Sequence, residues 1–213
     1  MRRAPVIALL LVAAGLAAVL PLYAQSRPDA EQQAALSAAA APLYDQLAEL
    51  RGIASPGPPP PVLVRSRADN RRFIEREINR RYSQSQLEAE RKSMVAWGVL
   101  PADYDLQRLF LDLLEEQVSA YYDPLGKVMV VGDWLPREEQ RAALVHELVH
   151  ALQDRELPID AFISPEPGHG DRLLTRQALV EGEAVALTFD LMLKAQATDI
   201  SRLPNLTMTQ GLI

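Results

Sequence analysis

The chain contains no cysteine, so no disulfide can staple it and its stability must come from a buried core. Aromatic residues are sparse, at 6%, and the net charge is −6. Both argue against a nucleic-acid partner, which would call for a basic surface. Arginines do gather at Arg71, Arg72, Arg76, Arg80 and Arg81, but Glu75 and Glu77 interleave with them, the pattern of a solvated helix face. No internal repeat appears. Histidine is scarce as well: His146, His150 and His169 are the only three.

Two of those three fall in one phrase, His146-Glu147-Leu148-Val149-His150, an HExxH motif flanked by apolar residues. Residues four apart on a helix share a face, so His146 and His150 can offer two imidazoles to one metal ion. Glu147 lies about 100° round the same helix, within reach of a water on that metal. Zinc suits neutral imidazole nitrogen, and a catalytic zinc keeps one position open. On a helical wheel His146, Glu147, His150, Gln153 and Asp154 share one side, while Leu144, Leu148, Ala151 and Leu152 share the other. The spacing predicts a helix that begins at Pro136, carries Glu138 and Glu139 in its first turn, and ends ahead of Pro158.

Two histidines need a third ligand. The phrase Val180-Glu181-Gly182-Glu183-Ala184, about thirty residues on, offers two carboxylates. They lie roughly 200° apart on a helix, so only one can face the ion. Glu181 shares its stripe with Leu174, Ala178, Val185 and Thr188, where a carboxylate is costly unless paired or metal-bound. Glu183 shares its side with Arg172, Arg176 and Asp190, a solvated face. Glu181 is therefore the expected ligand, the alternative being a buried Glu181 paired with Arg172 or Arg176. Gly182 is expected to let another backbone approach closely.

His146-Glu147-Leu148-Val149-His150 followed by Glu181 resembles the zincin metallopeptidases of the glutamate-ligand branch, the gluzincins. Val180-Glu181-Gly182-Glu183-Ala184 resembles the ligand helix of that branch. The segment 120–131 resembles the strand region ahead of the motif in uncharacterised bacterial secreted metallopeptidases. The resemblance covers roughly residues 105–195 and implies zinc-dependent hydrolysis of a peptide or protein substrate, with Glu147 as the base acting on a zinc-held water. Metzincins are excluded, because no third histidine follows at their spacing. Tyr121, Tyr122 and His169 are the available donors for an oxyanion, and Asp154 and Gln153 reach back only poorly toward the metal imidazoles. Lys127 to Val131 reads as a strand, either the edge strand that binds a substrate backbone in zincins or an interior strand. The alternative to an enzyme is a non-catalytic extracytoplasmic interaction protein that keeps a zincin-like shell.

Met1-Arg2-Arg3, an apolar run over residues 6–20 and Ala24 together read as a secretory signal, or as an anchor if uncleaved. The expected setting is secreted or periplasmic, with a membrane contact only through that segment. Residues 25–61 read as an alanine-rich helix or tether followed by a proline-rich spacer, and residues 62–213 as the zincin-like domain. Val62-Leu63-Val64 suggests a first strand, residues 69–96 one long charged helix capped by Asp69, and residues 105–118 a further amphipathic helix. The final residues lack any tail or capping character and read as the cut end of a longer chain. The expected class is α+β, helix-dominated, with a short sheet beside the HExxH helix.

Overall fold

The computed structural model describes residues 30–166 and 168–202. The expected signal or anchor (residues 1–24) and the expected cut end (residues 204–213) lie outside the described residues. Among the described residues no helix is long and apolar enough to cross a membrane.

The elements run α1 (Ala30–Arg51), β1 (Val62–Arg65), α2 (Arg67–Arg81), α3 (Gln84–Ala96), α4 (Leu106–Gln117), β2 (Ala120–Asp123), β3 (Val128–Gly132), α5 (Arg137–Glu156), α6 (Ile159–Phe162) and α7 (Gly170–Lys194), with a 3-10 turn at Ile200–Arg202. The fold is α+β and helix-dominated, with one small mixed sheet, as expected.

The strand order is β1-β3-β2. β1 runs parallel to β3, with Val62 opposite Met129, and β2 runs antiparallel to it, with Tyr122 opposite Met129. β3 is thus the interior strand, and of the two roles open to residues 127–131 it takes the buried one: Met129 and Val131 are fully enclosed. Asp123 shapes the β2–β3 turn by accepting, through Oδ1, from the amides of Leu125 and Gly126, both at 3.0 Å. The outer edge of β1 is occupied by Gln33 of α1, whose side chain accepts from Val64 N and donates to Val62 O. Among the described residues no strand pairs with the outer edge of β2.

The main core lies between α1, α5, α7 and the facing side of the sheet. α1 buries Leu36, Ala40, Leu43, Tyr44, Leu47 and Ala48, a single face at helical spacing. α1 is therefore a packed wall and not a tether, and the expected boundary at residue 61 does not part this core, since α1 and β1 bury their apolar side chains in one cluster. α1 stops where Gly52 adopts φ +77°, with Ile53 N bonded to Ala48 O and Gly52 N to Glu49 O. That left-handed cap needs a glycine and fixes Arg51 as the last helical residue.

A second cluster joins α2, α3 and α4 around Ile74, Ile78, Leu87, Leu106, Phe110 and Leu111. The single helix expected over residues 69–96 is two helices. Ser66, not Asp69, is the first cap, accepting from Asp69 N. Tyr82 turns extended, at φ −128°, and Ser83 starts α3 with a capping box closed by Gln86. Reciprocal bonds satisfy amide groups that a continuing helix would have bonded internally, so the break costs little. Residues 105–118 behave as expected, α4 being capped by Asp105 at Arg108 N.

A candidate metal centre between α5 and α7

α5 spans Arg137–Glu156, bounded by Pro136 and Leu157 as the prolines predict. Leu144, Leu148, Val149 and Leu152 are wholly enclosed and seat the helix in the main core. Packing so tight fixes the rotation of the helix, and with it the direction in which His146 and His150 project. α7 packs against the same helix and bears Glu181.

Three donor atoms converge. His146 Nε2 lies 3.2 Å from His150 Nε2 and 3.2 Å from Glu181 Oε2, and His150 Nε2 lies 3.6 Å from Glu181 Oε2. Zinc bonds of 2.0–2.1 Å in a tetrahedron place neighbouring ligand atoms about 3.3 Å apart. The triangle matches three vertices of that tetrahedron and leaves the fourth open. It is the one group of three such side chains able to hold a metal among the described residues. Two neutral imidazoles and one carboxylate are also the donor set zinc accepts at catalytic centres, so the residues fit the ion.

The electrostatics agree. Burial opposes a charge on His150, yet the Glu181 carboxylate, with Glu147 behind it, outweighs burial and pushes the ring up to about 9. Burial likewise works against a charged Glu181, but hydrogen bonds from His146 and His150 bring its carboxyl down to about 2. Without a metal the pocket holds an anionic carboxylate against a protonated ring, a proton standing where a cation would stand.

Glu147 is buried, and its Oε2 accepts from Tyr122 N at 2.7 Å. The pairing of Gly132 N with Ser119 O sets the phase of the β2–β3 ladder, so the amides of Ala120 and Tyr122 point outward from the sheet. The carboxylate of Glu147 is thus tied to the free edge of β2.

The other residues singled out from the sequence fall into different places. Tyr121 faces away from the centre, its ring stacked on Phe73 with centroids 3.8 Å apart. Tyr122 donates its hydroxyl to Asp154 Oδ2 at 2.8 Å. Burial pushes both phenols well above their usual range. His169 is exposed at the start of α7, twelve residues and so about 18 Å of helix before Glu181. Asp154 does not reach the imidazoles: it binds Tyr122, Lys127 and the amide of Ile159. Gln153, in contrast, reaches back well. Its Oε1 lies 2.8 Å from His150 Nδ1, and the expectation of poor reach fails because residues three apart share a face of the helix. Arg172 and Arg176 pair with Glu166, not with Glu181. Glu183 faces Arg51 and Gln153, not solvent alone. Gly182 meets no neighbouring backbone, since a side chain there would enter open space.

Over part of its length the chain is similar to a zincin-like, metallopeptidase-related family. Residues 102–206, just under half of the chain, match the family model Peptidase_M78, described as the IrrE N-terminal-like domain. The match takes in α4, both hairpin strands, α5 and α7, and so all three metal-ligand candidates and Glu147, but neither α1 nor β1. No curated protein and no solved structure matches the chain.

Proposed function

We propose that this chain is a zinc-dependent metallopeptidase that cleaves peptide bonds outside the cytoplasm. The observation that carries the proposal is the triangle of His146, His150 and Glu181 donor atoms at zinc-like separations, with the Glu147 carboxylate held beside it. A zinc ion held by His146, His150 and Glu181 would supply Lewis acidity toward a water and the scissile carbonyl.

The chain's own residues supply the rest. Glu147 takes the proton of the attacking water and returns it to the leaving amine. Its Oε2 is held by Tyr122 N, which leaves Oε1 to meet the water. The outward groups of β2 that remain, the amide of Ala120 and the carbonyls of Ala120 and Tyr122, suit an extended peptide added as a further strand. That role falls to β2 because β3 is interior and Gln33 occupies β1. The Tyr121 ring is stacked on Phe73, facing away from the centre, His169 lies about 18 Å of helix from Glu181, and the Tyr122 hydroxyl is committed to Asp154. The extracytoplasmic setting rests on the basic start and apolar run of residues 1–20.

The test is metal content joined to cleavage. The purified chain should carry one zinc, lose it in His150→Ala, and cleave a denatured protein in a chelator-sensitive manner. Glu147→Gln keeps an acceptor for Tyr122 N and should retain zinc while losing about 10²–10⁴-fold in rate. Zinc bound normally by His150→Ala would sink the site. Zinc held by the wild type without cleavage of an unbiased peptide library would favour the non-catalytic interaction protein.

A further inference from the structure

Gln153 poses a question that its own hydrogen bonds answer. The oxygen and nitrogen of a side-chain amide are told apart only by their partners. Here one end of the amide lies 2.9 Å from Val180 O and 2.8 Å from Glu183 Oε2. A carbonyl and a carboxylate can only accept, so that end is the NH2 group. The other end, Oε1, must then accept from His150 Nδ1 at 2.8 Å. The proton of a neutral His150 is thereby placed on Nδ1, and the lone pair on Nε2, the atom in the metal triangle.

Glu183 is held in turn from a distant part of the chain. Arg51 Nε donates to Glu183 Oε1 at 2.8 Å and Arg51 Nη2 to Oε2 at 3.3 Å, a two-pronged clamp. Arg51 Nη1 also meets the carbonyl of Leu152 and the carboxylate of Glu156, both on α5. The guanidinium is largely enclosed, with 17% of its side chain exposed. Its position follows from Gly52, whose left-handed conformation ends α1 at that residue.

We propose that Arg51 is a positioning residue of the metal centre. It acts through Glu183 and Gln153 to hold His150 in the tautomer and orientation that leave Nε2 free for the ion. The inference rests on the proposed zinc site and extends it in two ways. Glu183, the carboxylate passed over as a ligand, becomes the buttress of the ligand set. α1, which lies outside the family match, becomes part of the centre. Without the clamp, Glu183 can swing away, and Val180 O alone would be left to keep the Gln153 amide from turning its NH2 toward Nδ1. A turned amide would call for the opposite tautomer, which does not bind metal through Nε2.

A double-variant cycle on zinc affinity tests this, read by competition with a chromophoric chelator on the full chain. Loss of a partner that orients a metal imidazole costs about 10–100-fold in affinity. Gln153→Leu should fall in that range, and Arg51→Met and Glu183→Met should each lose about tenfold. In the Gln153→Leu background, Arg51→Met should cost less than about twofold more, because the link through which it acts is already cut. Arg51→Lys, which keeps the charge but not the two-pronged geometry, should recover part of the loss. Circular dichroism of the chelated variants separates folding from binding. If Arg51→Met does not fold, Glu183→Met at its half-exposed position carries the same cycle. Equal losses from Arg51→Met or Glu183→Met in both backgrounds, or no loss in the wild type, would overturn the proposal while leaving the zinc site intact. A wild type that binds no zinc would overturn both.

Discussion

Leu47 provides the sharpest test of how the N-terminal third is used. It lies on the inner face of α1, is fully enclosed, and belongs to the cluster that includes Leu148, between the two histidines, and Leu152, just after them. Cutting such a leucine to alanine removes buried methyl groups and leaves a cavity that close-packed neighbours fill only in part. The expected cost of Leu47→Ala is about 2–5 kcal/mol. At about 2–4 °C per kcal/mol for a domain of this size, a mid-range loss of about 3 kcal/mol lowers the midpoint by roughly 6–12 °C. Leu125→Ala is the control: it sits on the hairpin turn, 60% exposed, and should stay within about 0.5 kcal/mol. Thermal and urea unfolding, followed by circular dichroism with chelator present, gives both values. If Leu47→Ala were as mild as Leu125→Ala, α1 would not be part of the cooperative unit. The claim that Arg51 serves the centre would then lose its footing.

Two further outcomes follow from the centre and its surroundings. In the metal-free protein the His150 ring is raised from 6.5 to about 9, so its pairing with Glu181 stabilises the fold fully below about pH 6.5 and is lost as pH rises through about 9. The chelated protein should melt earlier at the alkaline end of that window, and Glu181→Gln should flatten the dependence; a wild-type midpoint that does not move would refute the pairing. Tyr122→Phe removes the hydroxyl bonded to the enclosed Asp154 and should cost about 1–3 kcal/mol in urea unfolding, with zinc affinity within twofold of wild type. A tenfold loss of zinc would instead tie the phenol to the centre.

What could be read from the sequence was whatever local chemistry decides. Pro136 and Pro158 bracket α5, Asp105 caps α4, and four-residue spacing puts His146 and His150 on one face, so these elements stand where the sequence puts them. The choice of Glu181 over Glu183 as the residue facing the histidines came from the apolar stripe around it, a local property as well. The missed break between α2 and α3 was also written locally, in Ser83-x-x-Gln86, but the apolar spacing from Phe73 to Leu87 runs on across it and hid the cap. β2 was harder. Its residues Ala-Tyr-Tyr-Asp are only partly buried on either face, so no alternation marks which side is inward. The relay behind His150 was not legible at all. It depends on an arginine and a glutamate 132 residues apart and on an amide whose orientation is set by α7. No periodicity links such positions.

The register of β2 binds the proposed chemistry to the proposed substrate edge. Side chains alternate along a strand, so a slip of one residue would move every side chain of β2 to the other face. Tyr122 would lose Asp154, and Tyr121 would lose its stack on Phe73. The outward amide beside Glu147 would then belong to a neighbouring residue and no longer to Tyr122. Each of these losses costs on the order of 1 kcal/mol or more, and all would fall together. The Asp123 turn adds a further constraint, since its two amide bonds fix the hairpin length. The same contacts that hold the strand in register therefore aim the carboxylate of Glu147 and present the outward groups of Ala120 and Tyr122. A substrate strand laid along that edge would meet a base already fixed relative to it, with no separate ordering step.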